Sequence, residues 1–213
     1  MGEALADGLV RGGDGVVRCW WAGADDPLYG RYHDEEWGMP LGDDRALFEL
    51  LCLEGFQAGL SWITILRKRE AFRRGFAGFD PVRVAAFGSS DVERLLADAS
   101  IVRHRAKVEA TIGNARAALA MAPGALAALV WRAEEPPEER PDTFDAATIR
   151  SRTTSPRAVE LSTALKAGGW RFVGPTTAYA FLQSAGVVDD HVEGCPRRPA
   201  CEAARAAFLR PGS

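Results

Sequence analysis

Apolar positions along the chain recur at helical spacing, and no alternation runs long enough to predict a strand. Asp43 or Asp44 can cap a helix to about position 53, with Leu47, Leu50 and Leu51 on one face. Glu54-Gly55 is the expected stop. A second helix is predicted over about 60–76, with Leu60, Ile63, Leu66, Phe72 and Phe76 apolar. Its cationic positions, Arg67-Lys68-Arg69 and Arg73-Arg74, read as a solvated face. Asp80-Pro81 starts a short helix to about 87, and Ser90-Asp91-Val92-Glu93 reads as a capping box for a helix to about 98. After a short apolar turn, the next helix runs through Asn114 and Leu119 and stops before Pro123-Gly124. Further helices are predicted over 125–131, from Ser155-Pro156 to Gly168-Gly169, from Pro175 to Gly186, and as an amphipathic segment over 199–209. The Glu- and Pro-rich stretch 134–142 reads as an exposed loop. The expectation is all-α: a flexible N-terminal tail over 1–17, then a single helical domain over 18–213.

Composition narrows this picture only slightly. A chain of 213 residues with 47% hydrophobic content has the length for a full core in one domain. No apolar run is long enough for a membrane helix, and the first residues do not read as a secretory signal. The net charge of −3 does not announce nucleic acid, so any DNA contact must rest on local basic patches. The four cysteines, without a secretion signal, fit a reducing cytoplasm, where metal ligation competes well with disulfide formation.

Three stretches carry candidate chemistry. The first is Cys52 to Leu66, where Glu54 stands among apolar residues and Trp62 lies eight positions on. A carboxylate buried without partners costs several kcal/mol, roughly, so it calls for a ligand with its own donors; an exposed Glu and a core Trp are the alternative. The second is the hairpin over 95–108, where helix N-termini, Arg103, Arg105 and Lys107 suit a phosphate backbone. An ordinary helix pair with a solvated basic edge is equally compatible. The third is a pair of Cys/His sets at the two ends, Cys19 with His33 and His191 with Cys195. Two Cys and two His complete a tetrahedral zinc shell that is closed to water, and therefore structural. Cys201 is a rival to Cys195, while Cys52 reads as a packed thiol.

Taken together, these stretches resemble the DNA-3-methyladenine glycosylase I family. The matching text includes Arg18-Cys19 with Trp21, Asp26-Pro27-Leu28-Tyr29, Tyr32-His33-Asp34 and Glu36-Trp37-Gly38. It continues with Leu53-Glu54-Gly55, Gln57-Ala58-Gly59-Leu60-Ser61-Trp62-Ile63-Thr64, Asp80-Pro81-Val82 and Ile101-Val102-Arg103-His104-Arg105 with Lys107. Ile112-Gly113-Asn114-Ala115-Arg116, Phe172-Val173-Gly174 and Asp190-His191 complete it. The match is weakest over about 122–155, and the first 17 residues lie outside it.

The resemblance implies a helix–hairpin–helix glycosylase-like fold, its N- and C-terminal segments (around 19–33 and 191–195) tied by one structural zinc ion per chain on Cys19, His33, His191 and Cys195. It implies that Glu54 recognises the edge of an everted base, that Trp62 stacks on it, and that Trp21, Tyr32 and Tyr29 line the pocket. It makes Ser100, Arg103, Arg105 and Lys107 the DNA anchor, with Ser100 where the family usually has Gly. A left-handed turn there would strain a serine. The implied partners are double-stranded DNA containing an alkylated purine and free 3-methyladenine as product, for a cytoplasmic monomer without a membrane role. The implied reaction is hydrolysis of the N-glycosidic bond of 3-methyladenine, with no lyase step. A non-catalytic binder of alkylated DNA is the alternative and would share the recognition residues.

Overall fold

The computed structural model describes residues 5–23 and 25–212. Acidic caps and first-turn prolines set most helix starts. The Asp26 carboxylate accepts from the backbone N–H groups of Leu28 and Tyr29 at 3.0 and 3.1 Å, with Pro27 opening α1 (Pro27–Glu35). Asp43 accepts from Ala46 N–H at 2.9 Å and starts α2 (Asp44–Gln57). There follow α3 (Trp62–Gly75), α4 (Pro81–Ala85) capped by Asp80, α5 (Ser89–Ala97) and α6 (Arg105–Leu119). Then come α7 (Ala125–Trp131), α8 (Ala146–Ser151) capped by Asp145, α9 (Pro156–Ala167) capped by Ser155, α10 (Pro175–Ser184) and α11 (Arg198–Ala207). The mostly helical architecture agrees with the all-α expectation.

The core is built around α2, which packs against α3, α6, α7 and α10. Leu47, Phe48, Leu51, Cys52, Leu53 and Phe56 are all buried. Phe56, Phe72, Phe76 and Phe79 form a run of ring contacts beneath it. At Gly55 a side chain would meet Phe172 Cβ at 3.2 Å, so glycine lets the 170–174 link close on the helix. Asn114 of α6 clamps that link at both backbone atoms of Arg171, donating to its carbonyl at 3.1 Å and accepting from its N–H at 2.8 Å.

The structure departs from the sequence expectation at several points. Helix α5 starts one residue before the capping box read at Ser90, with Gly88 at the N-cap donating its N–H to Asp91 Oδ2 at 3.1 Å. Helix α2 does not stop at Glu54-Gly55 but runs to Gln57, because burial through Phe56 outweighs the roughly 1 kcal/mol helix penalty of one glycine. The break comes at Gly59, whose φ of +83° suits glycine, so Leu60 lies in the loop and is 42% exposed. Within the stretch read as an exposed loop, Glu135 is buried because Arg152 meets both its carboxylate oxygens at 2.8 Å. In the segment read as a flexible tail, β1 (Leu9–Arg11) pairs antiparallel with β2 (Val17–Cys19), placing Leu9 opposite Cys19 and Val10 opposite Arg18. Strands of three residues leave no alternation to read. Residues 1–4 of that tail lie outside the described residues.

Two small apolar clusters lie beside the main core. One joins Cys19, Ala146, Ile149, Val192 and Cys195, with Leu9 and Trp20 against it. The other joins Tyr32, Trp37 and Leu66, flanked by Trp21, Tyr29 and Trp62. Among the described residues no helix is long and apolar enough to cross a membrane.

Candidate active site and metal centre

Glu54 sits on the last turns of α2 with only 2% of its surface exposed. Its one hydrogen-bond donor among the described residues is Ser184, at the end of α10, whose Oγ donates to Oε1 at 2.8 Å. Burial pushes the Glu54 carboxyl from its ordinary 4.5 up to about 8, against the opposing pull of the Ser184 hydroxyl. The Tyr32 hydroxyl in turn donates to Ser184 Oγ at 3.0 Å.

A cavity of about 320 Å³ opens onto this carboxylate. Helix α1 contributes Tyr29 and Tyr32, the residues after β2 contribute Trp20 and Trp21, and the start of α3 contributes Trp62. Trp62 and Tyr32 lie 5.6 Å apart, centroid to centroid, and Trp21 contacts Tyr29 at 5.2 Å and Trp37 at 4.6 Å. The indole N–H of Trp62 is buried without a partner among the described residues. Burial, together with the charges of Glu54 and Asp26, pushes the Tyr29 phenol to about 12, and Tyr32 is pushed well up by burial, so both stay neutral donors. The pocket volume and its aromatic walls suit one purine ring, and its single deep carboxylate suits a base that carries donors or positive charge. A larger hollow of about 470 Å³ lies near Glu134 and Asp190, but ion pairs dominate its lining and Phe144 is its one aromatic residue among those described.

The five sequence-predicted pocket residues, Glu54, Trp62, Trp21, Tyr32 and Tyr29, therefore line one cavity. Sequence reasoning missed Ser184, Gln183 and Arg150. Gln183 donates to Asp190 Oδ2 at 2.7 Å, and Arg150 lies 4.6 Å above the Trp20 ring at the rim. None of the three carried a local signal; Ser184 is 130 residues from Glu54 and meets it only through the packing of α10 on α2.

The ligand atoms of Cys19, His33 and Cys195 lie within 4.8 Å of one another, all buried. His33 Nε2 is 3.6 Å from Cys195 Sγ. The His191 ring packs against His33 at 5.0 Å, and its buried Nε2 has no partner among the described residues. Each imidazole is held through Nδ1 by a carboxylate at 2.8 Å, His33 by Asp34 and His191 by Asp189, which turns Nε2 toward the site; His33 Nε2 there accepts from the Cys19 N–H at 3.2 Å. Two buried thiols and an imidazole within reach of one another, with an unpartnered imidazole nitrogen on the adjoining His191 ring, suit a metal ion. The ligand atoms of His191 group instead with Asp189 and Cys201, within 4.8 Å of one another, so the structure brings three of the four expected ligands into one set. All four cysteines are free thiols.

The predicted DNA anchor is divided by the structure. The link from α5 to α6 is closed by Asp98, whose Oδ1 accepts from the Ser100 N–H at 2.8 Å and from its hydroxyl at 2.5 Å. Ser100 is not among the residues with positive φ, so the feared strain is absent. Arg103 is exposed. Arg105 is paired with Glu93 at 2.7 Å. Lys107 is buried, donating to the carbonyls of Phe56 and Ala58 at 2.9 and 2.6 Å. Its ammonium caps the C-terminal end of the helix that carries Glu54.

Comparison with known proteins places this geometry. The model of the methyladenine glycosylase family matches residues 21–198. The DNA-3-methyladenine glycosylase 1 of Escherichia coli (strain K12) is 51% identical over 183 residues, covering 84% of this chain and 96% of that protein. A crystal structure of 3-methyladenine DNA glycosylase I superposes with a TM-score of 0.79 at 46% identity, covering 85% of this chain and all of the other. Another, solved in complex with 3-methyladenine, gives 0.74 at 37% identity, covering 83% and 95% of the two chains.

Proposed function

This chain belongs to the methyladenine glycosylase family, and on that basis we propose that it is a DNA repair enzyme that hydrolyses the N-glycosidic bond of 3-methyladenine in alkylated DNA. The observation that carries this reading is Glu54, deeply buried at the floor of an aromatic cavity with room for a purine.

Methylation at N3 gives adenine a positive charge and weakens its bond to the sugar, because the base then leaves neutral. The enzyme has no need to protonate its leaving group. It must evert the base from the stack, at a cost of a few kcal/mol, roughly, and hold it there. The indole face of Trp62 and the phenol of Tyr32 favour a cationic ring by about 0.5–2 kcal/mol each. Glu54 accepts from the exocyclic amine and stabilises the cation electrostatically, while water attacks C1′ of a sugar with oxocarbenium character. No lysine lines the cavity among the described residues, which supports hydrolysis without a Schiff-base step.

The duplex docks through the hairpin between α5 and α6, with Arg103 toward phosphate, while Ser100, whose N–H and hydroxyl both go to Asp98, shapes the turn. Leu60 stands exposed in the loop between Glu54 and Trp62, suited to wedge into the gap left by the everted base. We assign zinc to Cys19, His33, His191 and Cys195, whose mixed thiolate and imidazole donors suit that ion. With all four positions filled by protein, the ion's part is to fasten the N-terminal segment to the C-terminal one.

Release of free base tests the reading. Methylated duplex DNA incubated with the protein should yield 3-methyladenine and abasic sites without strand cleavage, with little 7-methylguanine. A protein that retards the methylated duplex but liberates no base would be a binder, and the proposal would fall.

A further inference from the structure

Ser184 lies outside the motifs through which this chain resembles its family, and it makes the one protein hydrogen bond to the recognition carboxylate among the described residues. We infer that Ser184 is a positioning residue which, in a one-way hydroxyl relay from Tyr32 to Ser184 to Glu54, favours the carboxylate form of Glu54 and aims its second oxygen at the everted base. This inference rests on the proposed role of Glu54.

Proton counting fixes the direction of the relay. An ionised carboxylate only accepts, and a serine hydroxyl carries one proton. With Glu54 ionised, the Ser184 proton must go to Oε1, at 2.8 Å. The Tyr32 proton is then the one that satisfies Ser184 Oγ, at 3.0 Å. Oε1 is thereby occupied, and Oε2 remains for the amino group of the base. The Tyr32 oxygen is left to accept from the pocket side. If Glu54 took up a proton, the chain could run in reverse: Glu54 would donate to Ser184, Ser184 to Tyr32, and the Tyr32 hydroxyl would turn outward as a donor. The pocket would then offer donors where a donor-rich cationic base needs acceptors. Ser184 thus couples the charge of the acid to the hydrogen-bonding character of the whole cavity.

Among the described residues nothing else nearby does this work. From α1 the titratable neighbours are Tyr29 and Tyr32, both held neutral, and Glu36, which is paired with Arg69 of α3. From α10, Gln183 is occupied by Asp190. Arg150 of α8 is at the rim, over Trp20 and within 3.2 Å of Asp7. Only burial and the Ser184 hydroxyl act appreciably on Glu54, in opposite directions. A hydrogen bond to an ionised group is worth about 1.5–3 kcal/mol, so removing it should move the titration of Glu54 by about one pH unit or more.

The test uses the full chain and reads the Glu54 carboxyl directly, by carbon-13 NMR of glutamate side chains, with Glu54→Gln to assign the signal. Ser184→Ala should raise the midpoint of that titration by about one unit, and Ser184→Thr should restore it. Binding of free 3-methyladenine, followed by tryptophan fluorescence, should weaken about tenfold at pH 7 in Ser184→Ala and recover toward the parent value above the shifted midpoint. A midpoint that does not move in Ser184→Ala overturns the relay. So does a loss of binding with the same size at every pH, since that would mark a merely structural serine. The titration is read without ligand, so a parent protein that released no base from DNA would remove the proposed function and leave the relay to be judged by itself.

Discussion

The rings of Trp21 and His33 lie 5.2 Å apart, so a wall of the base pocket rests directly on the candidate metal centre. Trp37 continues the contact, 4.6 Å from Trp21 and 4.5 Å from His191. A change at the metal ligands should therefore be felt at the base. Elemental analysis of the purified protein should find about one zinc per chain. Stripping the metal with a strong chelator should lower the melting temperature by roughly 10 °C or more and weaken 3-methyladenine binding along with it. A metal-free preparation with an unchanged melting curve would remove the assignment.

Glu54 sets recognition against stability. Its carboxyl titrates near 8 in the fold and near 4.5 when ordinarily solvated, so between those values the folded chain binds more protons than the unfolded one. Stability attributable to this group is present below pH 4.5 and is lost as pH rises toward 8. Glu54→Gln removes the ionisation. Its melting temperature should exceed that of the parent by several degrees at pH 8, with the gap narrowing toward pH 4.5. The same variant should lose most base release, about 100-fold or more. Equal melting curves across the range would show that Glu54 is solvated in solution.

Trp62 is half-buried at the start of a helix whose inward face is carried by Ile65, Leu66 and Phe72. Trp62→Ala should leave the circular dichroism spectrum unchanged. It should weaken 3-methyladenine binding by about 1–3 kcal/mol, the range for stacking one base on an aromatic side chain. Trp62→Phe should recover part of that loss. Unfolding of Trp62→Ala would mark the indole as core rather than platform.

Arg103 and Lys107 are four positions apart and should fail differently. Arg103→Ala should weaken binding to DNA of any sequence and reduce the salt dependence by about one phosphate contact, without changing the melting temperature. Lys107→Met leaves the Phe56 and Ala58 carbonyls without their donor. It should cost about 1–3 kcal/mol of stability and leave the salt dependence as it was. Melting curves and binding titrations at two or three salt concentrations separate the two roles.

Much of this protein can be read from its residues because the signals are local. Helical periodicity, acidic caps before proline, and paired Cys/His at both ends need only neighbours in the chain to be recognised, and the all-α architecture followed from them. Glu54, Trp62, Trp21, Tyr32 and Tyr29 were nominated because they stand in a family-like text, and they meet in one cavity. Tertiary packing decided the rest. The core continued α2 past Gly55, which turned Glu54 from a helix end into the floor of a pocket. Docking of α10 brought Ser184 to that carboxylate across 130 residues. The same packing drew Lys107 inward to the end of α2, where a run of cations had suggested an outward face. A sequence specifies which groups a segment can offer; which of them is desolvated, and against what partner, is fixed only when distant segments close upon it.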